Sequence, residues 1–569
     1  MSSAEPEKKH ELEIKNLLED NDVKRDSDKK ISEISPQEAF QKIEELIPKC
    51  IMGENYTFNN DIVVNLIKFL LVDDEEKIFN WLESMPSTGY VCKLIGNCYR
   101  FSSRAEAAYA GLEMKWFHKG VQLGNGHCAC NIAYNYYCGE SVEQNVGVAI
   151  EWFLKSGCLG YSDGFAFVAN LYYLGKDVAK DLEKAIDLYK KAVKLKNVEA
   201  MYDLGHIYYG GNGVKKCYIT AFELYLEAAE NGKDGAMIIL GSMYKDGLGV
   251  EKSIFRAINW YVKAARLGNK EAMVTLGEMH LDNEEMPSNV EIAIGLYKKA
   301  SELSCTIAMI KLGDLYRKGE IIEIDYEVAL YYYEEAAALG DGKAMRKIGD
   351  MFLEGNGLEK DHKKAMDWYM KGVSVGNEKA MANIGYMFYN GLHDGKSEPD
   401  YNMAYTWFLK AAELGYDYAM DMLGDILLYG KLGEINLSRA IKWYKEAADM
   451  GNQSSCLTLA DIYFYGQFKI PQDHKLSLHY YSKCTDLDSC GLINMGKLYE
   501  NGLGIPKNVE AAKNFYIKSG ELQNPDGYYY AALLFQKIKN KEEADKYYNL
   551  ASVLYSLPPE DEADDITSP

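Results

Sequence analysis

Basic residues are in short supply in this chain. Across 569 residues, 63 Lys and Arg face 85 Asp and Glu, a formal charge of −22. That balance repels phosphate backbones and anionic membrane surfaces, which excludes nucleic acid as the main partner and leaves a basic protein or peptide as the compatible one. Long apolar runs are missing too. The longest, Ile62 to Val72, is interrupted by Asn65 and Lys68 and is too short to span a bilayer. The opening MSSAEPEKKHELEIKN has no apolar stretch behind a basic one, so the expectation is an intracellular, cytoplasmic protein without a membrane span. Signatures of common chemistry are equally scarce: GxGxxG, GxxxxGK[ST] and C-x₂-C pairs are all absent, and no cofactor or metal is expected.

What the chain has instead is a period. A small residue recurs inside a motif such as KLGDLYRKG, at Gly96, Ala133, Ala169, Gly205, Gly241, Gly277, Gly313, Gly349, Gly385, Gly424, Ala460, Gly496 and Ala532. The spacings are 37, seven of 36, one of 39 and three of 36. Each period reads as two helices. In the first, Ala200, Leu204, Ile207 and Tyr208 share one face at helical spacing, with Gly205 beside it. A glycine inside a helix costs about 1 kcal/mol relative to alanine, so its recurrence marks a close helix–helix contact. Gly-rich stops follow, such as DGLGV (246–250) and EGNGL (354–358). The second helix carries Ala and then an aromatic four residues later, as in Ala257 and Tyr261. Neither helix can bury its apolar face alone, so the pairs must stack.

The pattern A-x-x-x-L-G-x-x-Y-x-x-G-x-G-V, then A-x-x-W-Y-x-K-A-A-x-x-G-N, stands almost intact from Ala236 to Asn269 and resembles the Sel1-like repeat, a relative of the tetratricopeptide repeat. The resemblance runs from about Gly89 to Tyr555. It implies an all-α, right-handed superhelical solenoid of about thirteen antiparallel helix pairs. It also implies a non-catalytic adaptor that binds a partner on its concave face. Relatives act in signalling, in protein quality control at the endoplasmic reticulum and in host–microbe contact, and the membrane-anchored branch fits this chain least.

Five segments are expected: a disordered charged stretch at 1–35, a helical cap at 36–88, the array at 89–524, a tetratricopeptide-like capping unit at 525–555 and an acidic tail at 556–569. The first unit departs from the pattern with Glu113 where the second helix expects Ala. Three extra residues within 391–400 belong to a loop.

Alternative chemistry has weak anchors. GYSDG (160–164) fits the G-x-S-x-G of serine hydrolases, but Ser162 falls between two helices rather than after a strand. Cys92, Cys98, Cys128, Cys130, Cys138 and Cys158 cluster near His118 and His127, where Cys128 takes a packing position held elsewhere by Ala. A hydrolase or a redox or metal site at these early repeats is the alternative from another class, and a self-assembling solenoid is a third.

If the resemblance holds, partner-reading letters lie on the first helix, just after the marker and three residues further on. The first set is Glu278, Asp314, Asp350, Tyr386, Asp425 and Asp461; the second includes Arg317, Leu353, Tyr389, Leu428 and Phe464. Acids beside apolar and aromatic side chains suit a basic, partly hydrophobic peptide. The competing reading pairs those acids with Lys347, Lys311 or Arg317 on adjacent turns. The markers Gly205, Gly241, Gly277, Gly313, Gly349, Gly385, Gly424 and Gly496 are read as structural.

Overall fold

Glycines in the left-handed region punctuate most of the described periods and set the fold. The first helix of a repeat ends on one, such as Gly247 at φ 72°, whose conformation turns the chain without steric cost. Two residues on, Gly249 (φ 72°) lies against the start of the second helix of the preceding repeat. A Cβ there would come within 2.5 Å of the Tyr218 carbonyl oxygen. The G-x-G loop is therefore a stop signal and a stacking contact in one.

The computed structural model describes residues 39, 41–43, 45–47, 63–68, 75–101, 107–281, 289–393, 398–484 and 488–556. The expected disordered segment 1–35 and the tail beyond 556 lie outside them. The described residues are helices and connecting turns without a strand. They fall into two compact units divided after Ala308.

In the first unit, the helix Glu75–Ser84 precedes the pairs Gly89–Phe101 with Ala107–Gln122, Gly126–Cys138 with Val146–Cys158, and Asp163–Leu174 with Leu182–Lys194. Val198–Gly210 with Tyr218–Glu230, Asp234–Asp246 with Ile254–Arg266, and Lys270–Leu281 with Val290–Glu302 follow. The helix Thr306–Lys318 lies across the division. In the second unit come Tyr326–Ala338, then Gly342–Glu354 with His362–Ser374, Glu378–Tyr389 with Tyr401–Glu413, and Asp417–Leu428 with Leu437–Asp449. Gln453–Tyr465 with His474–Lys483, Ser489–Asn501 with Val509–Glu521, and Pro525–Lys537 with Lys541–Ser556 complete it. The three extra residues fall between the helices Glu378–Tyr389 and Tyr401–Glu413 without breaking the order.

Within each unit, from Gly89–Phe101 to Val290–Glu302 and from Tyr326–Ala338 to Lys541–Ser556, each helix packs on the helix that follows, so each unit is an all-α solenoid. Caps fix the joints. Asn269 shows the device at the junction between repeats: its Oδ1 accepts from the Ala272 amide (3.1 Å) while its Nδ2 donates to Asp234 one repeat earlier (2.8 Å). Asn452 does the same with Ser455 and Asp417. This explains why Gly-Asn recurs at the junction: glycine turns the chain, and asparagine both caps and staples.

At the centre of each pair whose marker is glycine, an aromatic ring from the second helix lies on the marker of the first. A Cβ on Gly313 would sit 2.4 Å from the Tyr333 ring, and one on Gly349 2.5 Å from Tyr369. Tyr189, Tyr225, Tyr261, Tyr297, Tyr333, Tyr369, Tyr444, Tyr481 and Tyr516 are among the largest fully buried side chains. The marker is small because a whole phenol must fit against it.

Candidate functional site

Burying a tyrosine ring brings its hydroxyl inside, and a buried hydroxyl without a partner costs about 1–3 kcal/mol. The residue just after the marker meets that demand. Asp314 accepts from the Tyr333 hydroxyl (2.5 Å), Asp350 from Tyr369 (2.8 Å), Asp425 from Tyr444 (2.6 Å) and Asp461 from Tyr481. Asn170 does this for Tyr189 (2.7 Å) and Ser242 lies 2.9 Å from the Tyr261 hydroxyl.

A second set of donors reaches the same acids from the next repeat. Lys347 donates to Asp314 (2.7 Å), Asn383 to Asp350 (2.7 Å) and Asn494 to Asp461 (3.2 Å). Arg346 adds an ion pair to Asp350 on its own helix. Asp314, Asp350 and Asp461 thus link the two helices of a repeat and that repeat to its neighbour, while Asp425 links only the two helices of its own repeat.

The sequence carries a signal for this that a helix-by-helix reading passes over: the residue after the marker is matched to the aromatic on the second helix. Where that aromatic is phenylalanine, at Phe117, Phe153 and Phe408, the matched residue is Asn97, Tyr134 or Tyr386, and no carboxylate stands there. Two tyrosines depart from the match: Tyr516, whose hydroxyl donates to Glu500 (2.8 Å) rather than to Lys497 after the marker, and Tyr225, matched with His206. The Tyr225 hydroxyl is buried without a hydrogen-bond partner among the described residues, and the His206 ring meets the Tyr225 ring edge-on with centroids 5.5 Å apart. Tyr225→Phe is therefore expected to leave the thermal midpoint unchanged or raise it slightly, whereas Tyr369→Phe lowers it by removing a made bond.

The remaining expected site residues divide by exposure. Glu278 is half-buried. Arg317 reaches Glu354 at 3.8 Å. Leu353 packs partly buried against the cluster of Ala365, Tyr369 and Ile384, and Tyr389 meets the Tyr401 ring edge-on at 5.3 Å. Tyr386 is 40% exposed. Leu428 and Phe464, expected to present a ligand-facing surface, are instead core residues, 1% and 9% exposed. Sequence spacing missed the next position along: Tyr429 and Tyr465 stand exposed where their neighbours turn inward. On this face of the second unit, Tyr386, Tyr429 and Tyr465 leave aromatic surface in solvent. Near them Asp425 and Asp461 carry no ion pair among the described residues.

Burial raises the pKa of Asp350, Asp425 and Asp461, against the lowering effect of Arg346 on the first and of the tyrosine hydroxyls on all three. The folded state then binds protons more tightly than the unfolded chain, whose carboxylates titrate near 3.9. Stability therefore falls as pH rises through the window between that value and the raised ones. Asp234 has the opposite sign, its pKa lowered chiefly by the Asn269 amide. A thermal melt series is expected to show the midpoint rising as pH falls from about 7 through the raised values toward about 3.9, and dropping below that as groups of the Asp234 kind are protonated.

The alternative chemistry finds no geometry. Ser162 has αR backbone at the entry to the helix Asp163–Leu174, and its hydroxyl accepts from Asn197 (3.0 Å). No strand leads into it. Cys128 is fully buried against Gly120, its thiol pushed up to about 12 by burial, and His127, stacked on Tyr161 at 3.8 Å, is brought down to about 3 by burial. At neutral pH these are an unionised thiol and an uncharged imidazole. Among the described residues every cysteine is a free thiol, and no cluster of His, Cys, Asp and Glu could hold a metal. Nor is any described helix long and apolar enough to cross a membrane.

A family model described as the Sel1 repeat matches residues 126–161, 166–197, 198–233, 235–269, 270–305, 306–341, 342–376, 378–416, 417–452, 454–489 and 491–524. No curated protein matches the chain. Among solved structures, the protective antigen c5321 of uropathogenic Escherichia coli, described as displaying an SLR fold, is 24% identical; the match covers 78% of this chain and 93% of that one with a TM-score of 0.45. A Sel1 repeat protein from Oxalobacter formigenes is 22% identical over 55% of this chain and 92% of its own, with a TM-score of 0.46. The immunity protein Pa5087 of Pseudomonas aeruginosa is 23% identical over 38% and 80%, with a TM-score of 0.29.

Proposed function

The chain belongs to the Sel1 repeat family, whose members generally mediate protein–protein interaction, and from that premise we propose that it is a non-catalytic scaffold that binds a basic, partly hydrophobic segment of a partner protein on its concave, first-helix face. The observation that carries this reading is the aromatic surface left in solvent on successive repeats: Tyr386, Tyr429 and Tyr465 are 40%, 60% and 48% exposed. Exposed aromatics contribute most where an interface closes over them. Asp425 and Asp461, spent on tyrosine hydroxyls but not on any base, supply negative potential beside them, whereas Asp314 and Asp350 already hold Lys347 and Arg346. The formal charge of −22 favours encounter with a basic segment in the same sense. In this reading residues 36–88 and 525–555 cap the array, and residues 89–524 carry the binding surface.

The test is affinity purification with mass spectrometry on the full chain, beside Tyr386→Ala/Tyr429→Ala/Tyr465→Ala and Asp425→Asn/Asp461→Asn. Partners recovered by the wild type and lost from the aromatic variant, with the acid variant flattening the salt dependence, are the expected result. Recovery unchanged by both variants would sink the assignment to this face.

A further inference from the structure

A cavity of about 530 Å³ opens in the first unit, lined from the helices Asp163–Leu174, Leu182–Lys194 and Val198–Gly210 and the turn at Asn212. Its volume is in the range of pockets that enclose a compact chemical group. Tyrosine rings from Tyr173, Tyr189 and Tyr209 contribute to its walls, and Asn170 and Asp203 supply polar groups.

The hydrogen-bond inventory of this cavity is unbalanced. The oxygen of the Asn170 amide accepts from the Tyr189 hydroxyl (2.7 Å), and the nearby amide counts among the groups that favour the ionised Asp203. Asp203 is left with acceptor capacity, since an ionised carboxylate has about four lone-pair sites. Asp203 makes no ion pair among the described residues. Lys233, the base whose charge reaches it, is bonded instead to both oxygens of Glu199, at 2.7 and 2.6 Å. Burial, reinforced by the Glu199 charge, raises the Asp203 pKa, as expected of a carboxylate short of a counter-charge. His206 at the rim has its pKa lowered by burial and is neutral at pH 7, so it does not repel a cation.

An anionic group is disfavoured by Asp203 and Glu199, and an apolar one would leave the carboxylate buried and unanswered. A guanidinium satisfies both features, since it donates in a planar fork and stacks on aromatic faces, where a strongly hydrated ammonium does so less well. Lys180 already lies over the Tyr173 ring at 5.8 Å, which leaves Tyr209 as the stacking partner. We propose that this cavity receives an arginine side chain of the partner protein, with its guanidinium donating to Asp203 and lying against Tyr209. The proposal rests on the scaffold reading and places a second, arginine-specific contact away from the exposed tyrosines of the second unit.

The full chain is panned against a random peptide library, and recovered peptides are measured by fluorescence anisotropy. The expected result is a common arginine whose replacement by citrulline, a neutral isostere, weakens binding at least tenfold. Asp203→Asn in the protein weakens it by a similar factor, and Asp187→Asn, an exposed acid outside the cavity, leaves it unchanged. Because the citrulline exchange alters only the peptide, its outcome does not depend on how the variant folds. Peptides that bind equally well after both exchanges would overturn the arginine pocket while leaving the scaffold reading intact. Failure to recover any peptide, together with no partner in affinity purification, would overturn both.

Discussion

Exchanging Glu113 for alanine, the residue other repeats carry at the same place, is expected to destabilise the first repeat by about 3–5 kcal/mol, although the change restores the repeat pattern. Glu113 is 3% exposed and sits at the hub of a charged network. It accepts from Arg100 at 2.9 Å, from Asn135 at 3.0 Å and from Ser141 at 2.6 Å. Arg100 also donates to the Asn135 side chain (2.6 Å) and lies over the Phe117 ring, which itself covers the marker Gly96. Removing the acid leaves a guanidinium and two donors without their shared acceptor, a larger loss than any gain in helix propensity. Glu113→Gln, which keeps an acceptor oxygen, is expected to fall between. Hydrogen exchange resolved to residues 89–138 is the appropriate readout, because a solenoid opens locally before it unfolds globally. Unchanged protection there would show that the network contributes nothing net.

Asp350→Ala is expected to have the next largest effect, a loss of about 3 kcal/mol felt in the repeats on both sides of the substitution. Three donors converge on this carboxylate: the Tyr369 hydroxyl at 2.8 Å, the Asn383 amide at 2.7 Å and Arg346. Tyr369 is fully buried and its ring covers Gly349, so its hydroxyl cannot turn to solvent without moving the ring off the marker. Asp350→Asn, which can still accept from the tyrosine, should recover part of the loss. Chemical denaturation of the three proteins measures this, and equal midpoints for wild type and Asp350→Ala would contradict the structural role of the acid.

Both predictions turn on what the sequence did and did not make legible. The period, the helix pairs and the glycine stops follow from local rules: a small marker at fixed spacing, apolar positions on one helical face and glycine where the backbone turns left-handed. Glu113 was visible as a departure, but its partners come from Gly89–Phe101 and Gly126–Cys138, on different helices, and no local rule joins them. The acids after the marker were visible as a row. Their use was not, because the demand for them originates on another helix, in a buried tyrosine hydroxyl. Leu428 and Phe464 illustrate the same limit from the other side: these positions lie in the core, and the next residues, Tyr429 and Tyr465, are the exposed ones. Spacing gives the face of a helix to within about one residue, whereas partner contact depends on that one residue.

The central claim is that acids following the marker serve the fold by answering tyrosines on the paired helix, so partner recognition must be sought in the residues left exposed around them. A double-mutant cycle on Asp425 and Tyr444 tests it most directly, since their contact (2.6 Å) is the only hydrogen bond Asp425's side chain makes among the described residues. Stability measured for the wild type, Asp425→Ala, Tyr444→Phe and the double variant should give a coupling energy of about 1 kcal/mol or more, with the double variant more stable than the sum of the single losses implies. A coupling indistinguishable from zero would contradict the claim.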